Sequence, residues 1–257
     1  MRRATQFTRQ DGVVLLVSVA LLLNLALVGE SGRERAKRAV CLANLKQLTL
    51  AWNLYAEDND GKIVNGDTQE YITMYRPEMP PQVSHYEELP WVLRDWTMTA
   101  TIEQREQAIR GGAMYPYTRN VRLYRCLLAG PAATRGYAVV DSMNCKGWSF
   151  GVMVKNTSQI ERPSERFVFI DQGDDAYNMM GGWTCYANKD RWWDPPPVHH
   201  NDGTNISFAD GHVEYWKWTD PRTVEFGRRR VAGSELQPGN DDIRRTQIAT
   251  WGDVARP

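Results

Sequence analysis

The sequence predicts an α+β fold in which a long N-terminal helix, built in two halves, packs on an antiparallel sheet. Three stretches carry that expectation. The first is the apolar run VVLLVSVALLLNLALV, from Val13 to Val28. The second is CLANLKQLTLAWNLYAEDNDG, where Cys41, Leu45, Leu48, Trp52 and Tyr55 step by four, three, four and three residues. Such steps keep one face of a 3.6-residue helix apolar, so this half should lie against a folded body. The third is a hairpin, TNISF and HVEYWKW flanking Ala209, Asp210 and Gly211.

The apolar run follows Arg2, Arg3 and Arg9 and spans about sixteen residues, interrupted by Ser18 and Asn24. A full span takes roughly twenty, which flanking residues can supply. A cleaved signal peptide fits less well than a retained anchor, because Ala26 and Val28 make a weak small-x-small cleavage pair. A basic start places the N-terminus inside. A pilin-type segment, membrane-borne and later packed in a filament, is the third reading. A buried helix of a folded core is disfavoured by the two charged ends. The expected organisation is therefore a basic cytoplasmic leader (1–12), a transmembrane half-helix in the lipid bilayer (13–28) and an amphipathic half-helix (29–60). An extracytoplasmic α+β body (61–226) and a polar tail with a short helix (227–257) follow. This places a single-pass protein in the inner membrane, its body facing the periplasm or exterior.

At 257 residues the chain can hold one sizeable domain with an appendage, or two small ones. Its 31 basic and 31 acidic residues cancel, which excludes a nucleic-acid partner on electrostatic grounds. A mean hydropathy of −0.53 leaves room for at most one span. Ten Trp and eleven Tyr fit an aromatic core better than a carbohydrate-binding surface. Cys41, Cys126, Cys145 and Cys185 lack the C-x2-C spacing common at zinc sites. One or two disulfides remain open, with no pairing favoured, and Cys41 alone reads as a small buried hydrophobe.

Along the chain, Asn59-Asp60-Gly61 should end the first helix. Residues 62–90 hold four prolines and read as a surface excursion. TIEQREQAI is a short helix with Thr101 as N-cap and Gln104 as its capping-box partner, ended by Gly111-Gly112. YAVV and FGVMV, between Gly136 and Val154, read as strands. ERFVFID, from Glu165 to Asp171, reads as a strand covered on both faces. The loop from Gln172 to Val198 is long enough to suggest a functional role. For the hairpin, Asp210-Gly211 as a two-residue type I′ turn pairs Ala209 with His212, Phe208 with Val213 and Ile206 with Tyr215. The last four would form the core face, leaving Asn205, Ser207, Glu214 and Trp216 on the other. After Arg222 the chain is polar; Arg228-Arg229-Arg230 reads as a solvated loop, and Asp241 to Trp251 as a final helix.

No nucleophile elbow, P-loop, dinucleotide fingerprint, HExxH or calcium-loop motif occurs, so no catalytic or cofactor-binding residue is assigned and a non-enzyme is expected. The concentrated polar residues are Asp171, Asp174, Asp175, Asp194, His199, His200, Asp202 and Asp210. Calcium held by Asp171, Asp202 and Asp210 is the metal reading. Zinc on His199-His200 is disfavoured, because adjacent residues of an extended chain point to opposite sides. The plainer roles are turn formation for Asp210 and a buried hydrogen bond for His200. Two rival functions follow. One is a carbohydrate- or polymer-binding module using Trp183, Trp192, Trp193, Trp216 and Trp218. The other is a metal-dependent enzyme around Asp171, His200 and Asp202, which requires an open cleft.

His200, nine further residues and Asp210-Gly211 form an H-x9-DG pattern within HNDGTNISFADGHVEYWKW. It resembles the C-terminal signature of bacterial prepilin-type processing-associated proteins, relatives of type IV pilins and type II secretion pseudopilins. CLANLKQLTLAWNLYAEDNDG, GGAMYPYTRNVRLYRC, ERPSERFVFIDQ and DDIRRTQIATW resemble, in order, other segments of that family. The family's peptidase site is a Gly before Phe-Thr-Leu-Ile-Glu; here Gly12 precedes Val13 to Val17, and the Phe and Glu are absent. The resemblance implies a pilin-like fold and a structural or assembly role among homologous pilin-like subunits or a secretion apparatus. It implies no chemistry.

Overall fold

The computed structural model describes residues 9–68, 88–93, 100–130, 133–145, 153–172, 181–229 and 235–255, with side chains of the first helix from residue 32 onward. That helix, α1, runs Arg9–Asp58 without a break, 50 residues or about 75 Å of rod. Gly12 lies within it. It stops where expected: Asp60 and Gly61 take left-handed backbone (φ 56° and 79°), and Gly61 N donates to Ala56 O at 2.8 Å. Cys41, Leu45, Leu48, Trp52 and Ala56 are buried, and Tyr55 packs against the same core.

Among the described residues no helix is long and apolar enough to cross a membrane. This corrects the expected transmembrane span and the single-pass inner-membrane location. The side chains of 13–28 lie outside the described residues. The described part of α1 carries Arg33, Glu34, Arg35, Lys37 and Arg38 ahead of a stripe that packs on protein.

The sheet comprises β1 (Tyr137–Val140), β2 (Phe167–Asp171), β3 (Gly182–Trp183), β4 (Gly203–Phe208) and β5 (Val213–Lys217), in the order β3-β1-β2-β4-β5. It is mixed rather than antiparallel throughout, because β3 joins β1 in parallel. β3 lies in the stretch expected to be a structureless loop; a further bridge pairs Cys185 with Trp192. Four shorter α-helices lie among the described residues: α2 (Ile102–Arg110), α3 (Tyr115–Thr118), α4 (Pro221–Arg229) and α5 (Asp241–Trp251). The Thr101–Gln104 capping box forms as expected. α4 contains Arg228 and Arg229, which were expected in a loop. The excursion after α1 begins inside the body, with Ile63, Val64 and Asn65 buried. Most of the rest of it, and most of FGVMV, lies outside the described residues.

Pairing across the sheet assigns the two faces. α1 covers the face bearing Tyr137, Asp171, Asn205 and Tyr215: Tyr137 Oη donates to Cys41 O at 3.2 Å, and the Arg38 guanidinium lies 4.0 Å from the Tyr215 ring centre. α5 covers the other face. Arg166 Nη2 and Ser142 Oγ both donate to Thr250 O, and Arg245 sits 4.6 Å from the ring centre of Trp216. β2 is buried along its whole length, as its two-sided apolar pattern implies.

The hairpin register differs from expectation by one residue. Ser207 pairs with Val213, Ile206 with Glu214 and Asn205 with Tyr215. Phe208 N donates to His212 O, so Ala209, Asp210 and Gly211 form a three-residue loop. Gly211 alone of these has positive φ, 93°, whereas a type I′ turn needs it at both central residues. A one-residue slip moves every β5 side chain across the sheet. Val213 and Tyr215 therefore stand under α1 with Asn205 and Ser207, while Trp216 stands with Ile206 and Phe208.

Candidate metal centre

Where α1 crosses the α1-facing side of the sheet, five chemistry-bearing side chains from four parts of the chain meet. Cys41 arrives on the docked stripe of α1. Cys126 follows a 3₁₀ turn at Val121–Tyr124, capped by Asn120 Oδ1 accepting from Arg122 N at 3.0 Å. The chain returns past it at Gly136, where a Cβ would stand 2.5 Å from both Cys126 N and Cβ, so only glycine permits this approach. Asp171 is the last residue of β2. His199 and His200 end the run into β4.

The two histidines correct a sequence-level argument. They sit in a turn, not an extended segment: Asn201 and Asp202 take left-handed backbone (φ 55° and 57°), and Asp202 N donates to Val198 O at 3.1 Å. Both rings consequently turn inward, with centres 4.9 Å apart. Tyr215 Oη fixes the turn by donating to His200 O at 2.9 Å.

Distances within the cluster are short. Cys126 Sγ lies 3.3 Å from Cys41 Sγ, 3.2 Å from His200 Nε2 and 3.7 Å from His199 Nε2. His200 Nε2 is 3.5 Å from Asp171 Oδ2. One donor atom each from Cys126, Asp171, His199 and His200 falls within 4.8 Å of all the others. Cys41, Cys126, Asp171 and His200 are buried and His199 is half-buried. Two backbone groups point at the sulfurs: Leu127 N donates to Cys41 Sγ at 3.3 Å and Leu128 N to Cys126 Sγ at 3.4 Å. Asn205 N donates to Asp171 Oδ2 at 2.5 Å, while Asp171 Oδ1 has no hydrogen-bond partner.

The electrostatics follow from that crowding. Hydrogen bonding from Cys126 holds the Cys41 thiol below its ordinary value, although burial opposes it. The same contact, together with burial, pushes Cys126 up. Burial raises the Asp171 carboxyl to about 7 against the pull of His200. Burial also disfavours the His200 imidazolium, but the hydrogen bond with Cys41 and the Asp171 charge outweigh it and raise His200. The four cysteines carry no disulfide. Chemically, the cluster offers soft sulfur, two imidazole nitrogens and a hard oxygen around one point, in a closed place.

Other expected site residues fall elsewhere. Asp202 pairs with Arg228 at 2.7 Å and Asp210 with His212 at 2.6 Å, so neither joins Asp171 in the metal-competent group found among the described residues. Among the described residues the calcium trio is thus not assembled, and Asp171 and His200 are buried rather than set at a surface. In the H-x9-DG pattern, His200 enters the cluster while Asp210 and Gly211 serve the turn. Trp183, Trp192 and Trp218 are buried; Trp216 is half-covered between Phe167 and Arg245, and Trp193 packs on Tyr186. They do not form a row of exposed plates. Cys126 was named only among cysteines of open disulfide pairing and not as a site residue, because nothing local marks a cysteine whose partners lie 85 and 74 residues away. Comparison with known proteins returns no matching family model, no matching curated relative and no matching solved structure.

Proposed function

We propose that this chain is a structural subunit of a pilin-like assembly, with α1 as a stem that packs against the α1 of further copies. One observation carries this reading: the docked half of α1 is apolar on two sides. Cys41, Leu45, Leu48 and Trp52 face the body, whereas Val40, Leu50 and Leu54 are 44%, 58% and 39% exposed. At 100° per residue those three stand on the side away from the body. An apolar stripe facing solvent calls for a cover. A second α1 supplies one, since a rod of 50 residues outruns the part that docks. The sequence of its N-terminal half, Val13 to Val28, is more apolar still and would be covered in the same bundle. The H-x9-DG pattern and the ordered resemblances to prepilin-type proteins support the same reading. A catalytic role is less favoured, because the polar cluster is enclosed rather than open to substrate.

The test is sedimentation velocity of the full chain over a concentration series, beside Leu50→Glu/Leu54→Glu. Concentration-dependent oligomers are expected for the parent and a shift toward monomer for the variant, with unchanged circular dichroism. A parent that stays monomeric at every concentration, or a variant that assembles equally well, refutes the reading.

A further inference from the structure

We propose that Cys126, Asp171, His199 and His200 hold one structural zinc ion, with the Cys41 thiol of α1 packed against it. The argument is first geometric. Zinc bonds of about 2.3 Å to sulfur and 2.0–2.2 Å to nitrogen and oxygen, set tetrahedrally, put neighbouring donors roughly 3.3–3.6 Å apart. The separations from Cys126 Sγ to His200 and His199 are 3.2 and 3.7 Å, and that from His200 to Asp171 is 3.5 Å. The widest pair in the group, within 4.8 Å, closes with a side-chain adjustment of about 1 Å.

Donor chemistry selects the metal. One thiolate, two imidazoles and one carboxylate suit zinc and exclude magnesium and calcium, which demand shells of oxygen. The enclosure of Cys126, Asp171 and His200 marks a closed, structural site rather than a catalytic one with a free position.

Two further features favour a cation there. Asp171 is wholly buried, and its Oδ1 has no hydrogen-bond partner, a costly state for a carboxylate unless something positive answers it. The N–H of Leu128 aims at Cys126 Sγ at 3.4 Å, the arrangement that steadies an electron-rich thiolate. On binding, Cys126 gives up its thiol proton to solvent and its sulfur forms the metal bond, so uptake weakens as pH falls. The ion would tie the end of β2, the turn before β4 and the Cys126 loop into one joint beneath α1. A disulfide between Cys41 and Cys126 is the competing use of the same sulfurs, but it leaves two histidines and a carboxylate unexplained.

The test is metal analysis of the full chain, purified without chelator under reducing conditions, followed by exchange with cobalt. About one zinc per chain is expected, and cobalt should give a sulfur-to-metal charge-transfer band with the intense visible bands of tetrahedral geometry. Cys126→Ser should abolish that band. Cys185→Ala, which alters a buried cysteine outside the group, should keep it. His199→Gln guards against a folding failure, because His199 is only half-buried; it should weaken zinc binding at least about tenfold while the fold persists. No bound zinc and no cobalt charge-transfer band overturn the proposal. So does unchanged affinity in His199→Gln, or peptide mapping that finds a Cys41–Cys126 disulfide in the native protein.

Discussion

Replacing Trp52 with alanine should remove a large part of the energy that docks α1 on the body. Trp52 has no exposed surface and lies in the main core, one turn beyond Leu48 on the buried stripe. Truncating a buried Trp or Phe to alanine costs about 3–5 kcal/mol in lost transfer energy and cavity. Against a total stability of about 5–15 kcal/mol this is a large fraction. For a chain of this size it lowers the melting temperature by about 6–20 °C. Trp52→Phe separates packing from hydrogen bonding. The indole N–H is buried without a partner, so its removal forfeits no bond, and only the smaller ring volume counts. A loss of about 1–2 kcal/mol is expected. The assay is urea unfolding followed by far-ultraviolet circular dichroism, with Leu236→Ala, 58% exposed and outside α1, as a control that should change stability by less than about 0.5 kcal/mol. If Trp52→Ala cost no more than Leu236→Ala, α1 would not be docked by this face.

Three other outcomes are expected. Asp242, wholly buried in the first turn of α5, accepts from Thr219 N, Thr219 Oγ1 and Asp220 N and pairs with Arg245 at 2.8 Å. Asp242→Ala should therefore cost about 3–5 kcal/mol in urea unfolding, because it strands an arginine and two amides. Gly136→Ala should drive the new methyl into Cys126 and destabilise by about 1–3 kcal/mol, with altered near-ultraviolet circular dichroism. Partial burial tends to raise the Asp210 carboxyl, but the amide and ring of His212 outweigh it and hold it below its ordinary value. The sign follows: its small contribution to the hairpin is present above the unfolded value and is lost as pH falls through the lower folded one. Carbon NMR of the Asp210 carboxyl should show that depressed midpoint, and Asp210 titrating at the ordinary value would refute the contact.

The elements legible in the sequence were those whose signal is local. The stripe from Cys41 to Tyr55, the Thr101–Gln104 box, the two-sided run in β2 and the acidic start of α5 each depend on residues a few positions apart, and each appears as expected. The hairpin was found, but its register was not, because Asp-Gly serves a two-residue or a three-residue loop and only backbone φ distinguishes them. The parallel partner β3 is two residues long and is defined by β1 rather than by its own pattern. The apolar run at Val13 to Val28 read as a membrane span from its composition and its charged flanks, whereas no described helix meets that requirement. The cluster was half visible. Asp171, His199 and His200 stood out as polar residues, but Cys126 was one of four cysteines whose pairing stayed open, and the left-handed turn at Asn201-Asp202 that aims both histidines inward leaves no periodic trace.

Zinc-edge X-ray absorption of the full chain tests the convergence of these segments most directly. One sulfur at about 2.3 Å and three nitrogen or oxygen neighbours at about 2.0–2.2 Å are expected. A shell without sulfur, or one built from several sulfurs and no imidazole scattering, would contradict the meeting of Cys126, Asp171, His199 and His200 at one point.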